Sequence, residues 1–230
     1  MADAPLTFDL GGLTLPERGR LLGRVIAPRP VAFVSSHSAA GIGNLSPFSF
    51  FTAGGSNPPS LVFCTVNDRH GRRKDTLVNI EATGEFVVNT VATPMIARMN
   101  QSSFEYPPDV DEFDAAGFTR APSVRVAPPG VAESPVRLEC RLQQILTHGD
   151  GPQASNYIIG EVLVIHVDPA VCTDGLPDNA KLRLAKLIGR ATMTAFGRDG
   201  KTREADCLGP DAVLHFIDWL NSLLRRDSYL

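Results

Sequence analysis

The chain has 230 residues, 43% of them hydrophobic, which is enough for one sizeable core and predicts a single domain over residues 1–230. Its 22 basic and 25 acidic residues give a net charge of -3, whereas a nucleic-acid-binding protein usually shows a basic excess. We find no signal-peptide pattern at the N-terminus and no uncharged apolar run of the roughly 20 residues that span a membrane. These features favour a cytoplasmic protein with neither nucleic acid nor membrane as a partner.

Several common functional motifs are absent from the sequence. The four cysteines are far apart and form no CxxC pair, and the five histidines show no metal-ligand spacing. The chain also lacks a G-x-S-x-G motif and a G-x-G-x-x-G motif after a strand. The sequence therefore predicts no metal centre, no thiol redox motif, no esterase elbow and no Rossmann nucleotide site.

Glycine and proline separate a series of β-prone runs along the chain. Residues 1–28 look like an approach segment, after which Pro28-Arg29-Pro30 forces extended backbone. The runs at 31–36 and 44–50 flank a glycine-containing turn and predict a hairpin. The predicted strands cover residues 31–36, 44–50, 60–66, 85–91, 136–143, 157–167 and 190–196.

Residues 136–143 alternate between apolar and polar side chains, as expected for a strand with one buried face. This alternation predicts that Glu139 and its polar neighbours face outward. A loop at 148–152 separates this run from the strand at 157–167, so the two are expected to form a long antiparallel hairpin. The side chains predicted to face inward are Val136, Leu138, Cys140 and Leu142, and those predicted to face outward are Arg137, Glu139, Arg141 and Gln143.

Short helices are predicted between the strands. The helix at 74–83 is expected to begin with Asp75 as its N-cap and to stop at Gly84. Others are predicted at 93–100 and 110–116, with a ligand-covering loop at 101–108. The most regular helix, at 210–226, belongs to a C-terminal extension over residues 200–230, and its apolar face must pack on this core or on a partner subunit. Many strands with few helices favour a β-barrel with helical additions.

Two runs have the composition of a binding site for one long ligand. Asn44-Leu45-Ser46-Pro47-Phe48-Ser49-Phe50-Phe51 combines hydroxyls, a rigid proline and aromatic rings, which suit a flat ring with a polar edge. Lys74-Asp75-Thr76 places a cation and a hydroxyl at a predicted helix start, where N–H groups point toward an anion. A ring at one end and a phosphate at the other is the shape of FMN.

Each run also has a structural interpretation. The Lys74 segment could be a solvated charged loop before an ordinary capped helix. The phenylalanines could be core residues of a strand, an explanation that fits Phe50 and Phe51 as well as a ligand contact does. Phe48 is a weaker core candidate because it adjoins Pro47, and it is expected to lie against the ring.

Several separated motifs, in the same order, resemble the flavin reductase-like family over residues 25–189. The run at 44–51 is similar to the family pattern N-x-(A/S)-P-(F/Y)-S-(F/Y)-F, and residues 158–162 are similar to its IGEV strand. Arg29-Pro30, Lys74-Asp75-Thr76 and residues 131–140 add to the resemblance. It implies a mainly β, FMN-binding split barrel of the Greek-key type with short helices.

The resemblance also implies a homodimer in which FMN lies near the subunit interface. In such a protein the run from Asn44 lies along the ring, the strand ending at Val66 runs nearby, and the Lys74 segment meets the phosphate. Two departures from the family pattern are the sequence after Gly189 and the extension from about residue 200. The implied cofactor-binding residues are Asn44, Leu45, Ser46, Pro47, Phe48, Ser49, Cys64, Thr65, Val66, Lys74, Asp75, Thr76, Asn100, Gln101 and Ser102.

The expected activity is an NAD(P)H-dependent flavin reductase, in which NADH or NADPH passes a hydride to FMN and a small-molecule acceptor takes the electrons. No catalytic side chain is predicted, because the cofactor carries the chemistry. Two alternatives remain open at this point. One is a carrier or sensor protein that binds FMN without turnover, and the other is a flavoenzyme like pyridoxamine-phosphate oxidase.

Overall fold

The described part of the protein is built mainly from antiparallel strands with short helices in the connections. The computed structural model describes residues 5–188, 192–196 and 202–206. The helices are α1 (Leu15–Val25), α2 (Asp75–Thr83), α3 (Ile96–Gln101), α4 (Glu112–Ala115) and α5 (Asn179–Leu182), with 3-10 turns at Leu10–Gly12, Thr93–Met95 and Pro169–Val171. The strands are β1 (Arg29–Pro30), β2 (Ala32–His37), β3 (Gly43–Phe48), β4 (Phe51–Ser56), β5 (Pro59–Val66), β6 (Glu85–Asn89), β7 (Arg120–Ala121), β8 (Gly130–Val131), β9 (Val136–His148), β10 (Ser155–Val167), β11 (Cys172–Thr173), β12 (Leu176–Pro177), β13 (Lys186–Ile188), β14 (Thr192–Phe196) and β15 (Thr202–Asp206).

One large sheet of seven strands forms the framework. Its strand order is β3-β2-β6-β9-β10-β5-β4, and a second sheet joins β1, β13, β14 and β15. The predicted hairpins are confirmed: β2 pairs with β3, so that Val34 lies opposite Ser46, and β9 pairs with β10 along both strands. The mainly β fold class expected from the sequence is therefore confirmed.

Both faces of the sheet are covered around β2, which explains why the first half of this strand is apolar without a break. Phe33 packs in one core cluster with α3 and α4, whereas its neighbours Ala32 and Val34 pack in the other with α2. Successive side chains of a strand point to opposite faces, so a continuous apolar run indicates burial on both. Gly160 in β10 approaches this second cluster so closely that a Cβ there would overlap the Phe86 ring.

The prediction that Glu139 faces outward is wrong. Its side chain is 0% exposed, and its carboxylate accepts hydrogen bonds from the N–H groups of Val124 (2.8 Å) and Arg125 (2.7 Å). His166 lies 2.6 Å from the same carboxylate. The alternation is real, but the proline-rich segment before β8 covers the face on which Glu139 stands. Burial raises the pKa of Glu139, and the hydrogen bonds from His166 and these two N–H groups outweigh it, leaving the pKa below its usual value.

The start of α2 also differs from the prediction by one residue. Lys74, with extended backbone, is the N-cap, and Asp75 is the first helical residue. The Lys74 carbonyl accepts the first helical hydrogen bonds, while the Asp75 carboxylate stands in the first turn, where the helix dipole favours negative charge. The stop at Gly84 is confirmed: its φ is 73°, and its N–H donates to the Ile80 carbonyl.

Helix α1 was not predicted, although the sequence contains its start signal. Thr14 and Glu17 have capping-box spacing, and the Glu17 carboxylate accepts a 2.8 Å hydrogen bond from the Thr14 N–H. The predicted helix at 210–226 lies outside the described residues. Within the part of the chain that the structure describes, no helix is long and apolar enough to cross a membrane.

Candidate functional site

Two adjoining cavities open between the end of β3, the start of α2 and helix α1. The α2 cavity has a volume of about 460 Å³ and the α1 cavity about 560 Å³. Both are bordered by Asp68, Lys74 and Glu105, so together they form one elongated cleft. Each volume lies within the range of about 300–1,000 Å³ that is typical of small-molecule sites.

Three consecutive basic residues line the α2 cavity, and two of them are paired with carboxylates. Arg72 lies 2.6 Å from Asp68 and 3.8 Å from Glu105, and Arg73 lies 2.8 Å from Glu81. Among the described side chains, no carboxylate lies within 4.0 Å of the Lys74 ammonium. Lys74 therefore has its charge available for an anionic ligand at the junction of the two cavities.

A buried chain of hydrogen bonds forms one wall of the α2 cavity. The Asn44 amide nitrogen donates to Glu112 Oε2 at 2.8 Å, and the Leu45 N–H donates to the same oxygen at 2.6 Å. Asn44 Oδ1 accepts from Thr76 Oγ1 at 2.6 Å and from Ser36 Oγ at 3.2 Å. Four elements, β2, β3, α2 and α4, are thereby held together beside the cavity.

Glu112 is an acidic residue with an unusual environment. Burial raises its pKa to about 7, helped by the nearby carboxylates of Asp75 and Asp111 and opposed by the Leu45 N–H and the Lys74 charge. Its carboxyl group therefore changes its charge close to neutral pH. Glu112 was not among the predicted site residues, because nothing in the local sequence around α4 indicates that its first residue reaches β3.

The loop after α3 covers the α2 cavity through Ser103, Phe104, Glu105, Tyr106, Pro107 and Pro108. Gln101 supports this loop, since its amide nitrogen lies 2.6 Å from the Tyr106 hydroxyl. Ser102 is buried, and its hydroxyl donates to the Met99 carbonyl. Asn100, Gln101 and Ser102 line neither cavity themselves.

The α1 cavity has a different character, with apolar side chains from α1 and an aromatic ring. Arg29 is nearly buried here; its guanidinium lies 5.4 Å from the centre of the Phe50 ring, and its Nε lies 3.3 Å from Ser49 Oγ. The same guanidinium donates to the carbonyls of Gly23 and Ile26 at the end of α1. Arg29 thus ties α1 to the end of β3 and shapes the wall of this cavity.

Comparison with known proteins shows the family of this chain. Residues 22–176 match the family model described as the flavin reductase like domain. The chain belongs to the flavin reductase-like family. The resemblance inferred from the separated motifs is therefore confirmed, and the protein is by class a flavin oxidoreductase, for which the family implies a flavin cofactor and a nicotinamide electron donor.

Three similar proteins illustrate the relationship. An uncharacterized protein of Halalkalibacterium halodurans is 35% identical over 196 residues, which cover 84% of this chain and 92% of the relative. The structure of nitrilotriacetate monooxygenase component B from Bacillus cereus has a TM-score of 0.80 at 31% identity, covering 85% of this chain and 98% of that one. The structure of Pseudomonas fluorescens 2-nitrobenzoate 2-nitroreductase has a TM-score of 0.66 at 26% identity, covering 89% and 93%.

Several residues that the sequence predicted as flavin contacts line this cleft. They come from three separate segments: the strand β3, the end of β5 and the start of α2. Lys74 alone among them borders both cavities. In the α2 cavity they are Asn44, Ser46, Lys74, Asp75 and Thr76, and in the α1 cavity Ser49, Val66 and Lys74.

The other predicted contacts have side chains elsewhere. Leu45 and Phe48 belong to the two core clusters, and the Phe48 ring packs 5.4 Å from that of Phe63. The expectation that Phe48 is a weaker core candidate than Phe50 was wrong, because Phe48 ends β3 on its inner face while Phe50 follows the strand and stays 41% exposed. Pro47, Cys64 and Thr65 line neither cavity.

Cys64 and Thr65 lie next to Val66 at the end of β5. Burial raises the pKa of the Cys64 thiol, so a reactive thiolate is disfavoured. The Thr65 hydroxyl is buried and has no hydrogen-bond partner among the described residues. A buried polar group without a partner is uncommon in folded proteins.

The donor set of the cleft fits a phosphorylated flavin. The α2 cavity offers cations, hydroxyls and the first turn of a nine-residue helix, which suit a phosphate group. The α1 cavity offers apolar side chains, an aromatic ring and the Ser49 hydroxyl, which suit a flat ring with a polar edge. Among the described residues, no group of three or more His, Cys, Asp or Glu side chains could hold a metal ion.

Proposed function

We propose that this protein is an FMN-dependent NAD(P)H:flavin oxidoreductase. The single observation that carries the proposal is the position of Lys74, whose ammonium lacks a carboxylate partner among the described residues and lies where the two cavities meet. When bound, the flavin would supply the ring that accepts a hydride from NADH or NADPH and passes electrons to a small-molecule acceptor. The protein's own residues bind and orient it.

At the phosphate end, Lys74 supplies a positive charge and the first N–H groups of α2 supply hydrogen-bond donors. A phosphomonoester carries nearly two negative charges near neutral pH, so it gains more from this end than an uncharged hydroxyl would. Arg72 and Arg73 add positive potential even though each is paired with a carboxylate. These charges favour FMN over riboflavin.

At the ring end, Ser49 can meet the polar edge, while Phe50, Val66 and the apolar face of α1 exclude water from one side of the cavity. Hydride transfer between two cofactor rings requires alignment and not a side-chain acid or base. We therefore assign no catalytic residue. The acceptor would approach the same open cleft.

The test of this proposal is a comparison of ligands and electron donors with the purified protein. We expect FMN to bind more tightly than riboflavin, and NADH or NADPH to bleach the bound flavin under anaerobic conditions faster than free FMN. Titration with FAD in parallel shows whether the phosphate site prefers the mononucleotide. A protein that takes up FMN but is bleached by neither nucleotide is a carrier or sensor, and oxidation of a pyridoxine vitamer would indicate the other alternative.

We further propose that two copies of this chain assemble as a homodimer beside the α1 cavity. Leu22 lines that cavity, and Val25 and Ile26 at the end of the same helix are 67% and 58% exposed. Exposed apolar side chains that continue a cavity wall are typical of an interaction surface. A second copy here would complete the cavity wall.

Light scattering after size-exclusion chromatography tests this assembly. We expect a dimer for the wild-type protein and a monomer with weaker flavin binding for the double variant Val25→Glu, Ile26→Glu. A matched control is Leu176→Glu, at an equally exposed leucine away from both cavities, which should stay dimeric. A monomeric wild type would rule the proposal out.

A further inference from the structure

Glu112 uses only one of its two carboxyl oxygens in the hydrogen-bond chain beside the α2 cavity. Oε2 accepts from both the Leu45 N–H and the Asn44 amide, and Oε1 has no hydrogen bond among the described residues. The side chain is buried but still borders the cavity. If Oε2 takes up a proton, it keeps a lone pair that can still accept from the Leu45 N–H, so protonation need not separate α4 from β3.

We propose that Glu112 is a positioning residue, which takes up a proton when a phosphate group binds and thereby turns the Thr76 hydroxyl into a donor toward that phosphate. The inference rests on the proposed function, because it concerns the phosphate end of the same cleft. Asn44 is the connection between the two side chains. The only chemical change is the transfer of one proton from solvent to the carboxyl group.

With Glu112 ionised, the direction of each hydrogen bond in the chain is determined. The carboxylate can only accept, so the Asn44 nitrogen must face it and Asn44 Oδ1 must face Thr76. The Thr76 hydroxyl then donates its only hydrogen to Asn44 Oδ1. Only lone pairs of the Thr76 oxygen remain for a ligand in the cavity, and these repel the oxygens of a phosphate.

With Glu112 protonated, the opposite arrangement becomes possible. A proton on Oε2, the oxygen that faces Asn44, can be donated to Asn44 Oδ1 once the amide has rotated by half a turn, which exchanges its two ends at little steric cost. The amide nitrogen then donates to the oxygens of Thr76 and Ser36. The Thr76 hydrogen is released and can be donated to phosphate.

The charges around Glu112 favour the same coupling. Asp75 on α2 and Asp111 at the N-cap of α4 are negative, and Lys74 at the N-cap of α2 is positive. The other charged residues that border the cavity are Asp68, Arg72, Arg73 and Glu105. In this field the pKa of Glu112 is already raised to about 7. A phosphate dianion entering the cavity adds negative charge next to it and raises this pKa further. Binding above neutral pH must then be accompanied by uptake of a proton.

The experiment measures FMN and riboflavin affinity by fluorescence quenching from about pH 6.5 to about pH 8.5, where the second ionisation of a phosphate, near pH 6, is largely complete. For the wild type, the Kd for FMN should rise by up to about tenfold per pH unit above pH 7, as expected for one linked proton. The Kd for riboflavin should stay level. Calorimetry in two buffers of different ionisation enthalpy should show up to about three-quarters of a proton taken up per FMN at about pH 7.5, since about a quarter of Glu112 is already protonated there.

Two variants separate this role from a merely structural one. Glu112→Gln keeps the shape but cannot take up a proton, so its FMN affinity should be independent of pH over this range. Asp111→Asn removes a neighbouring charge that contacts Gly43, Phe113 and Arg120 and not Asn44, so it should keep the pH dependence but shift it to lower pH. FMN's own ionisation is common to all three proteins and cancels in the comparison.

The outcomes distinguish this inference from the proposed function. A wild type that binds no FMN at any pH overturns both. Tight FMN binding with the same pH dependence in Glu112→Gln as in the wild type overturns the coupling alone. If Glu112→Gln does not fold, as judged by thermal unfolding, the calorimetry of the wild type decides, and the absence of proton uptake refutes the coupling.

Discussion

Replacing Lys74 by alanine is expected to weaken FMN binding by about 10- to 100-fold and to leave riboflavin binding nearly unchanged. The estimate follows from the loss of one charge-assisted hydrogen bond, worth about 1.5–3 kcal/mol. Among the described residues Lys74 has no carboxylate within 4.0 Å, so its removal breaks no ion pair and should not unfold the protein. Titration of both ligands by fluorescence quenching measures the effect.

The matched control for this prediction is Lys181→Ala. Lys181 is exposed, donates to the Cys172 carbonyl and lies outside both cavities, so its loss changes the net charge equally without touching the cleft. Its FMN affinity should stay within about twofold of the wild type. An equal loss of FMN and riboflavin affinity in Lys74→Ala would show that this residue does not meet the phosphate.

Replacing Glu139 by alanine is expected to lower the free energy of unfolding by about 3–5 kcal/mol, because it leaves three buried or half-buried donors without their acceptor. Two of them, the N–H groups of Val124 and Arg125, hold the proline-rich segment against β9. The third is His166. Urea-induced unfolding of both proteins gives the difference directly.

Glu85→Ala is the control for the Glu139 prediction. Glu85 also accepts a hydrogen bond from this segment, at Ala127, but in an exposed position, so its loss should cost less than about 1 kcal/mol. Since the pKa of Glu139 is lowered in the folded protein, its stabilising effect is present above its usual pKa and fades as pH falls through the lowered value. A Glu139→Ala protein as stable as Glu85→Ala would contradict this account.

The segments of the site were predictable because each has a local signal. The alternation in β9 and the turn signals of β2 and β3 specify strands, and Gly84 specifies where α2 stops, since each depends on neighbours close in sequence. The order of the motifs was enough to indicate the flavin reductase-like family, which the family model confirms. Capping-box spacing before α1 was also local, and we overlooked it.

Only the tertiary structure determines the contacts between residues far apart in sequence. Glu112 reaches Asn44 across 68 positions, and Glu139 is covered by a segment 14 to 15 positions earlier that has no regular structure of its own. Whether Phe48 or Phe50 meets the cleft depends on the residue at which β3 ends. Local patterns specify which elements form, whereas burial, charge environment and the direction of each hydrogen bond arise only when distant elements pack together.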